Sequence, residues 1–155
     1  MDADNLTKIM ELIKRGGIYK DVEGDTPEVV FSNLCKMMDL PDVIDREQVY
    51  NALCAREKVL STAIGNGIAL PHARNSIIKD ESEQRICIVY LKNPMDMSAP
   101  DERKVYAMFV LLTQNSQLHL KILATLAELI RSLPFRKLLE SKPSADEIEA
   151  FIKTL

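Results

Sequence analysis

Long apolar segments and an excess of charge of one sign are both missing from this sequence. No apolar run approaches the roughly 20 residues that span a bilayer, so we expect no membrane insertion. The formal net charge is only −3 over 155 residues, so we expect no nucleic acid partner unless a local basic patch provides for one. The acidic start, Met1-Asp2-Ala3-Asp4, opens a helix-like segment and is unlike a signal peptide. These absences favour a cytoplasmic location.

Metal-ligating and disulfide-forming residues are also scarce. The three cysteines, Cys35, Cys54 and Cys87, are odd in number and show no C-x-x-C spacing, so we expect reduced core residues. The only two histidines, His72 and His119, form no H-x-x-x-H pair. Together with a carboxylate, the two histidines could form half of a metal site, but the absence of an H-x-x-x-H or comparable ligand pair argues against this alternative. We therefore expect no metal and no cofactor.

The apolar periodicity predicts helices and strands in alternation. The first half should contain a helix capped by Asp4 or Asn5 and ended by Gly16-Gly17, a strand from Ile18 to Val22, and helices capped by Thr26 and Asp45. The second half should contain strands at 68–70, 85–91 and 105–112, a helix capped by Asn115 or Ser116, and helices after Pro134 and Ser144. This order implies a single α/β domain over residues 1–155, with helices covering a central sheet whose strand order the pattern leaves open.

His72 is the strongest candidate for chemistry. A neutral imidazole is a good nucleophile at neutral pH, and Pro71 holds the chain extended into the histidine. Phosphoryl transfer requires a positioned nucleophile and groups that neutralise the phosphoryl oxygens. Arginines and turn glycines that could supply such groups are Arg56, Gly65, Gly67 and Arg74. On spacing alone, however, a histidine beside a proline is more often a structural residue at a strand end.

His119 lies in the first turn of a predicted helix. Its imidazole and the helix N-terminus could face an anion together. The alternative is an ordinary surface histidine at a helix start, and this would be the favoured interpretation in the absence of His72.

Two blocks of sequence resemble a known family. The first runs from Ala55-Arg56-Glu57-Lys58 through Gly65-Asn66-Gly67-Ile68-Ala69-Leu70-Pro71-His72, and the second is Leu118-His119-Leu120 with Leu123 and Leu126. Together they resemble the type 2 (fructose/mannitol class) IIA domains of the bacterial phosphoenolpyruvate:sugar phosphotransferase system. The Gly-Asn-Gly-Ile-Ala run is most similar to the nitrogen-regulatory IIA proteins. The resemblance extends from about Thr26 to the C-terminus.

The resemblance implies a fold and a set of site residues. The fold would be α/β, with a mixed central β-sheet flanked by helices on both faces. His72 would be the phosphorylation site, at Nε2 (tele-phosphohistidine), with Arg56 and His119 contacting the phosphoryl group without carrying it. Arg74 and the backbone at Gly67 are weaker candidates for stabilising the phosphate. The family uses no metal at this site.

The implied function is that of a phosphocarrier. It would accept a phosphoryl group on His72 from an HPr-like phosphocarrier protein and control regulatory target proteins. The alternative is a sugar-uptake component that donates the group to a separate fructose- or mannitol-type IIB protein. The absence of a IIB-like phosphocysteine loop and of a membrane segment favours regulation. We expect the partner to dock on an apolar face around His72, to which Met95-Asp96-Met97 and Ile68 would contribute unless they are core residues.

Overall fold

A five-stranded sheet lies at the centre of the computed structural model, which describes residues 1–74, 77–114 and 116–155. The strands are β1 (Ile18–Val22), β2 (Ala63–Gly65), β3 (Ile68–Ala69), β4 (Arg85–Met95) and β5 (Val105–Leu112). The helices in these ranges are α1 (Ala3–Gly16), α2 (Pro27–Met37), α3 (Arg46–Val59), α4 (Ser116–Arg131), α5 (Leu133–Glu140) and α6 (Ala145–Ile152), with a 3-10 turn at Glu81–Glu83.

The sheet is mixed, in the order β1-β4-β5-β3-β2. β4 pairs in parallel with β1 and antiparallel with β5, while β3 pairs in parallel with β5 and antiparallel with β2. Successive side chains of a strand point to opposite faces. In β4, Cys87 and Val89 therefore pack with α2 and α3 on one face, and Ile86 and Ile88 pack with α1, α4, α5 and α6 on the other. The predicted fold class, with helices on both faces, is confirmed.

Most of the predicted helix starts are confirmed by their caps. Thr26 accepts a hydrogen bond from the backbone N–H of Val29, Asp45 accepts from Glu47 and Gln48, and Ser144 forms a capping box with Glu147. The prediction for α1 was wrong, because Asp2 is the cap. Its backbone is extended and its carboxylate accepts from the N–H groups of Asp4 and Asn5. Asn115 lies outside the described residues, and Ser116 is the first residue of α4.

The strand predictions differ from the structure at three points, the smallest of which is that β3 ends at Ala69 and not at Leu70. β2 was not predicted, because three residues ending in a glycine give too short a pattern to recognise. β4 continues to Met95 instead of ending at Leu91, through the exposed residues 92–94. By contrast, β1 and β5 have the predicted bounds. No helix in the described part of the chain is long and apolar enough to cross a bilayer.

All three cysteines are buried and unpaired, as the sequence predicts. Burial raises the pKa of the Cys35 thiol to about 11 and that of the Cys87 thiol to about 12. The pKa of Cys54 is raised as well, again mainly by burial. Since the thiolate is the reactive form, these residues are unreactive members of the core.

Candidate functional site

His72 lies just beyond β3, against the last residues of β5. It forms an isolated parallel bridge with Leu111, whose N–H donates to the Pro71 carbonyl at 2.9 Å. The N–H of Leu70 donates to the Thr62 carbonyl at 3.0 Å, which fixes the chain on its other side. The backbone that leads into His72 is therefore held between two neighbouring segments.

The proton on the His72 ring is located by a main-chain contact. Nδ1 lies 2.8 Å from the Leu70 carbonyl oxygen. A carbonyl can only accept a hydrogen bond, so Nδ1 carries the hydrogen and donates it. In the neutral ring Nε2 then has a free lone pair, and it is the nucleophilic nitrogen.

The His72 ring is kept neutral by its surroundings. Desolvation by burial is the main cause that lowers the pKa of His72 below 6.5. The Leu70 hydrogen bond acts in the opposite direction, the positive charge of Arg56 lowers the pKa, and the negative charge of Glu57 raises it. The net lowering means that the nucleophilic form predominates at neutral pH.

His119 lies beside His72, with the two ring centroids 4.8 Å apart and the ring planes inclined by 55°. It is in the first turn of α4, and its Nδ1 is 2.8 Å from the hydroxyl oxygen of Thr113, which directly follows β5. Burial, with a smaller effect of His72, lowers the pKa of His119 to about 4. The structure thus brings the two predicted histidines together, both uncharged at neutral pH.

Arg56 and Glu57 approach the site from the last turn of α3. The Nη1 group of Arg56 donates to the Leu60 carbonyl at 2.6 Å, which uses one of the five N–H donors of the guanidinium. Both carboxylate oxygens of Glu57 accept from Thr62, one from its N–H at 2.8 Å and one from its hydroxyl at 2.6 Å.

A continuous chain of hydrogen bonds therefore runs from Glu57 to His72. Glu57 binds Thr62, the Thr62 carbonyl accepts from the N–H of Leu70, and the Leu70 carbonyl accepts from Nδ1 of His72. Sequence reasoning placed Glu57 and Thr62 in the motif but gave them no role, and it missed Thr113. No spacing rule identifies these threonines, because both contacts depend on how separate elements pack.

The glycines of the first sequence block lie at the wrong end of β3 to bind a phosphoryl group. The register pairs Ile68 with Ala107 and His72 with Leu111, so Gly67 and His72 are separated by about 16 Å of extended chain, at ~3.3 Å per residue. The N–H of Asn66 donates to the Asp101 carboxylate at 2.8 Å, so a carboxylate already occupies this turn.

The prediction that Gly67 stabilises the phosphate was therefore wrong. Gly67 has a φ of 79°, and a Cβ there would lie 2.6 Å from the Tyr106 ring. A glycine is required for this turn and for the close packing of Tyr106. Arg74 is exposed, two residues after His72, and its role stays a prediction.

Of the two alternatives that the sequence left open for the predicted docking residues, the structure supports a place in the core. Ile68, Met95 and Met97 are all buried and belong to the core, so they cannot contact a partner. The large exposed apolar residues near the site in sequence are others, which we call the apolar rim: Val59, Leu60, Ile64 and Leu120. Leu60 is bound through its carbonyl to Arg56, and Leu120 directly follows His119.

Residues 1–74, 77–114 and 116–155 contain no group of three histidine, cysteine, aspartate or glutamate side chains placed to hold a metal ion. The expectation of metal-independent chemistry stays a prediction.

Comparison with known proteins identifies the family. The model of the phosphoenolpyruvate-dependent sugar phosphotransferase system EIIA 2 family matches residues 11–154. This chain belongs to that family. The resemblance stated from the sequence is confirmed. The chain is therefore a phosphotransfer component of the EIIA type.

Its relatives include nitrogen regulatory proteins. It is 29% identical to the nitrogen regulatory protein of Pseudomonas aeruginosa, over 92% of this chain and 93% of the relative. It is 30% identical to the nitrogen regulatory protein homolog of Haemophilus influenzae, over 91% of this chain and 88% of the relative. The crystal structure of nitrogen regulatory protein IIA-Ntr from Neisseria meningitidis superposes with a TM-score of 0.79 at 28% identity, covering 94% of this chain and 99% of that chain.

Proposed function

We propose that this EIIA protein is a nitrogen-regulatory-type phosphocarrier that takes up a phosphoryl group on Nε2 of His72 from an HPr-like phosphocarrier protein. The observation that carries the proposal is the pairing of the two imidazoles. His72 has its Nδ1 hydrogen bound to the Leu70 carbonyl, its lone pair on Nε2, and His119 at a centroid distance of 4.8 Å. A neutral nucleophile beside a second neutral imidazole is suited to accept a phosphoryl group.

The transfer is a displacement between two histidine rings. The lone pair of Nε2 forms a bond to phosphorus while the bond between phosphorus and the donor nitrogen breaks, and the electron pair of that bond stays on the donor ring. His72 keeps its hydrogen on Nδ1, so positive charge develops on its ring as the new bond forms. The Leu70 carbonyl, at 2.8 Å from Nδ1, stabilises this charge.

In this proposal, Arg56 and His119 bind and stabilise the phosphoryl oxygens. The charge of Arg56 is close enough to lower the pKa of His72, and a guanidinium is well suited to neutralise phosphoryl oxygens. His119 supplies an uncharged N–H donor, since its pKa of about 4 keeps the ring neutral. Phosphoryl transfer depends largely on such positioning and electrostatic stabilisation.

The apolar rim is the proposed docking surface for the phosphocarrier. Leu60 and Leu120 are 69% and 67% exposed. Leu60 is one helical turn after Arg56 and accepts a hydrogen bond from it, and Leu120 directly follows His119. Phosphorylation would add roughly −1.5 to −2 charges beside this rim. A regulatory target that docks there would therefore distinguish the two forms. The similarity to nitrogen regulatory proteins over most of their length favours this role over donation to a IIB protein.

The proposal is tested by labelling the protein with radioactive phosphoenolpyruvate in the presence of the first enzyme of the system and its HPr carrier. We expect one acid-labile phosphate on the wild-type chain and none on His72→Ala. The matched control is His119→Ala, which removes the other imidazole. It should still be labelled to completion, but more slowly by up to ~10²-fold, because it loses one donor to the phosphoryl group.

Circular dichroism should show that both variants are folded. Normal labelling of His72→Ala would show that the phosphate is carried elsewhere. A wild-type protein that takes up no label from the phosphorylated carrier would overturn the proposed function.

A further inference from the structure

The contact between Thr113 and His119 joins two different elements of the site. Thr113 follows the last residue of β5, and His119 is in the first turn of α4, with 2.8 Å between the hydroxyl oxygen and Nδ1. A hydroxyl can donate or accept a hydrogen bond. The distance alone therefore leaves two arrangements, which place the ring hydrogen of His119 on opposite nitrogens.

Only one arrangement gives His119 a hydrogen-bond donor for an anion. A neutral imidazole has a single N–H, and the low pKa of His119 keeps the ring neutral. If Nδ1–H donated to Thr113, Nε2 would present a lone pair and repel phosphoryl oxygens. If the Thr113 hydroxyl donates to Nδ1, the hydrogen is held on Nε2, at the opposite edge of the ring.

We infer that Thr113 is a positioning residue whose hydroxyl donates to Nδ1 of His119 and thereby holds the ring hydrogen on Nε2. The two neighbouring histidines then have opposite tautomers. His72 has its hydrogen on Nδ1 because a carbonyl faces that nitrogen, and His119 has it on Nε2 because a hydroxyl donates to Nδ1. The choice between the two arrangements rests on the proposed function, because only an N–H on Nε2 serves a phosphoryl group, but the tautomer itself is measured without any partner protein.

The position of Thr113 is itself fixed from both sides. On one side Leu112 is paired with Arg85 in the sheet. On the other side, the N–H of Gln114 donates to the Gln84 side-chain oxygen at 2.8 Å, and the Gln114 side chain donates to the Lys79 carbonyl at 2.8 Å. A hydroxyl held in this way is preorganised to orient a neighbouring ring.

The tautomer is measured directly by long-range ¹H–¹⁵N NMR of the histidine rings in the unphosphorylated wild-type protein at neutral pH. We expect His119 to be protonated on Nε2 and His72 on Nδ1. Variants with each histidine replaced by glutamine assign the two sets of signals. This measurement needs no partner protein. It determines the tautomer of each histidine even if the proposed function is wrong.

The role in transfer is measured with Thr113→Val, which keeps the side-chain shape but removes the hydroxyl. We expect phosphoryl uptake from the carrier to slow by roughly 3- to 10-fold, the effect of one ordinary hydrogen bond. The His119 ring should also populate the other tautomer. Thr113→Ser, which restores a hydroxyl, should stay within about twofold of wild type.

The matched control is Thr125→Val. Thr125 is in α4, the helix that contains His119, and its hydroxyl donates to the Lys121 carbonyl at 2.9 Å within that helix. Its replacement should alter neither the tautomer of His119 nor the rate of uptake.

Any one of three results would overturn the inference. These are a wild-type His119 protonated on Nδ1, a Thr113→Val variant that takes up phosphate at the wild-type rate, and a Thr113→Ser variant as slow as Thr113→Val. Absence of uptake by the wild-type protein would refute the proposed function instead, leaving the tautomer measurement to decide the inference.

Discussion

The two imidazoles owe their neutral state to burial more than to any charged neighbour. Desolvation is the largest cause of the lowered pKa of both His72 and His119. Each ring is only half-buried, so a partner can still reach it. The burial that keeps both rings neutral also means that protonating them lowers the stability of the folded protein.

At the residue scale, this predicts a specific loss of stability in acid. The pKa of His119 is 6.5 in an ordinary environment and about 4 in the folded protein. Between these values the unfolded chain binds more protons, so the stability is fully present above pH 6.5 and is lost as the pH falls towards 4. Urea unfolding of wild type and His119→Gln across this range should show a steeper loss for wild type. If the free energy of unfolding falls equally with pH in the two proteins, the lowered pKa of His119 is contradicted.

Individual residues also show how much of the candidate site could be predicted from the sequence. The resemblance predicted His72, His119 and Arg56 as a set, and the structure brings the two histidine rings into contact. It implied Nε2 as the reacting nitrogen of His72 but gave no position for the ring hydrogen of His119, because that depends on the Thr113 hydroxyl. Gly67 was misjudged because a turn glycine near an anion site and one packed on Tyr106 have the same sequence signature.

Among the elements, α3 is joined through the Glu57 carboxylate to Thr62, the residue before β2, and Thr62 is joined to the chain that follows β3. Glu57, in the last turn of α3, accepts both hydrogen bonds of Thr62, and Thr62 in turn accepts from the N–H of Leu70 next to the site. Hydrogen bonds to a charged group contribute about 1.5–3 kcal/mol each when buried. The orientation of the His72 backbone therefore depends on a residue that need not touch the phosphoryl group.

We predict that Glu57→Gln lowers the free energy of unfolding by about 1–3 kcal/mol, since an amide cannot accept both Thr62 bonds as a carboxylate does. It should also lower the pKa of His72, because the charge of Glu57 raises it. The measurements are urea unfolding and NMR titration of the His72 ring.

The control for this variant is Glu47→Gln, which changes a glutamate in the first turn of the same helix. It should leave the His72 titration unchanged and alter stability only slightly. A Glu57→Gln protein with wild-type stability and an unshifted His72 would show that the hydrogen-bond chain has no effect on the site.

The elements also separate what periodicity can predict from what it cannot. β1, β5 and the caps of α2 and α3 follow from apolar runs and capping residues close in sequence. β2 exists because it pairs with β3, and β3 itself has only two residues. Strands this short are defined by tertiary pairing and leave no periodic pattern.

Considered as a whole, the molecule has separate cores on the two faces of its sheet, and the site lies where elements from both meet. α3 belongs to one core, with Leu53 inside it, and α4 to the other, with Ile122 inside it. Arg56, whose charge acts on the His72 ring, is in the last turn of α3, and His119, whose ring centroid lies 4.8 Å from that of His72, is in the first turn of α4. A partner that docks over His72 would contact both helices.

At this scale we predict that Leu120→Glu raises the KM for the phosphorylated carrier by roughly 5- to 30-fold, with little change in kcat. This corresponds to the loss of about 1–2 kcal/mol of apolar burial on docking. The measurement is the rate of uptake as a function of carrier concentration. Leu133→Glu is the matched control, because Leu133 is a 52% exposed leucine on α5. Equal KM values for the two variants would show that the apolar rim is not the docking surface.

The burial of the three cysteines has a practical consequence for studying such encounters. With Cys35, Cys54 and Cys87 all enclosed and their thiol pKa values raised, a new cysteine on the surface would be far more reactive than any native one. A fluorophore or spin label could therefore be attached at one chosen position without first removing the native thiols. Lys104 is a suitable position, since it is exposed and lies before β5, at the end of that strand remote from His72. A reporter there would follow the approach of partners without obstructing the surface around His72.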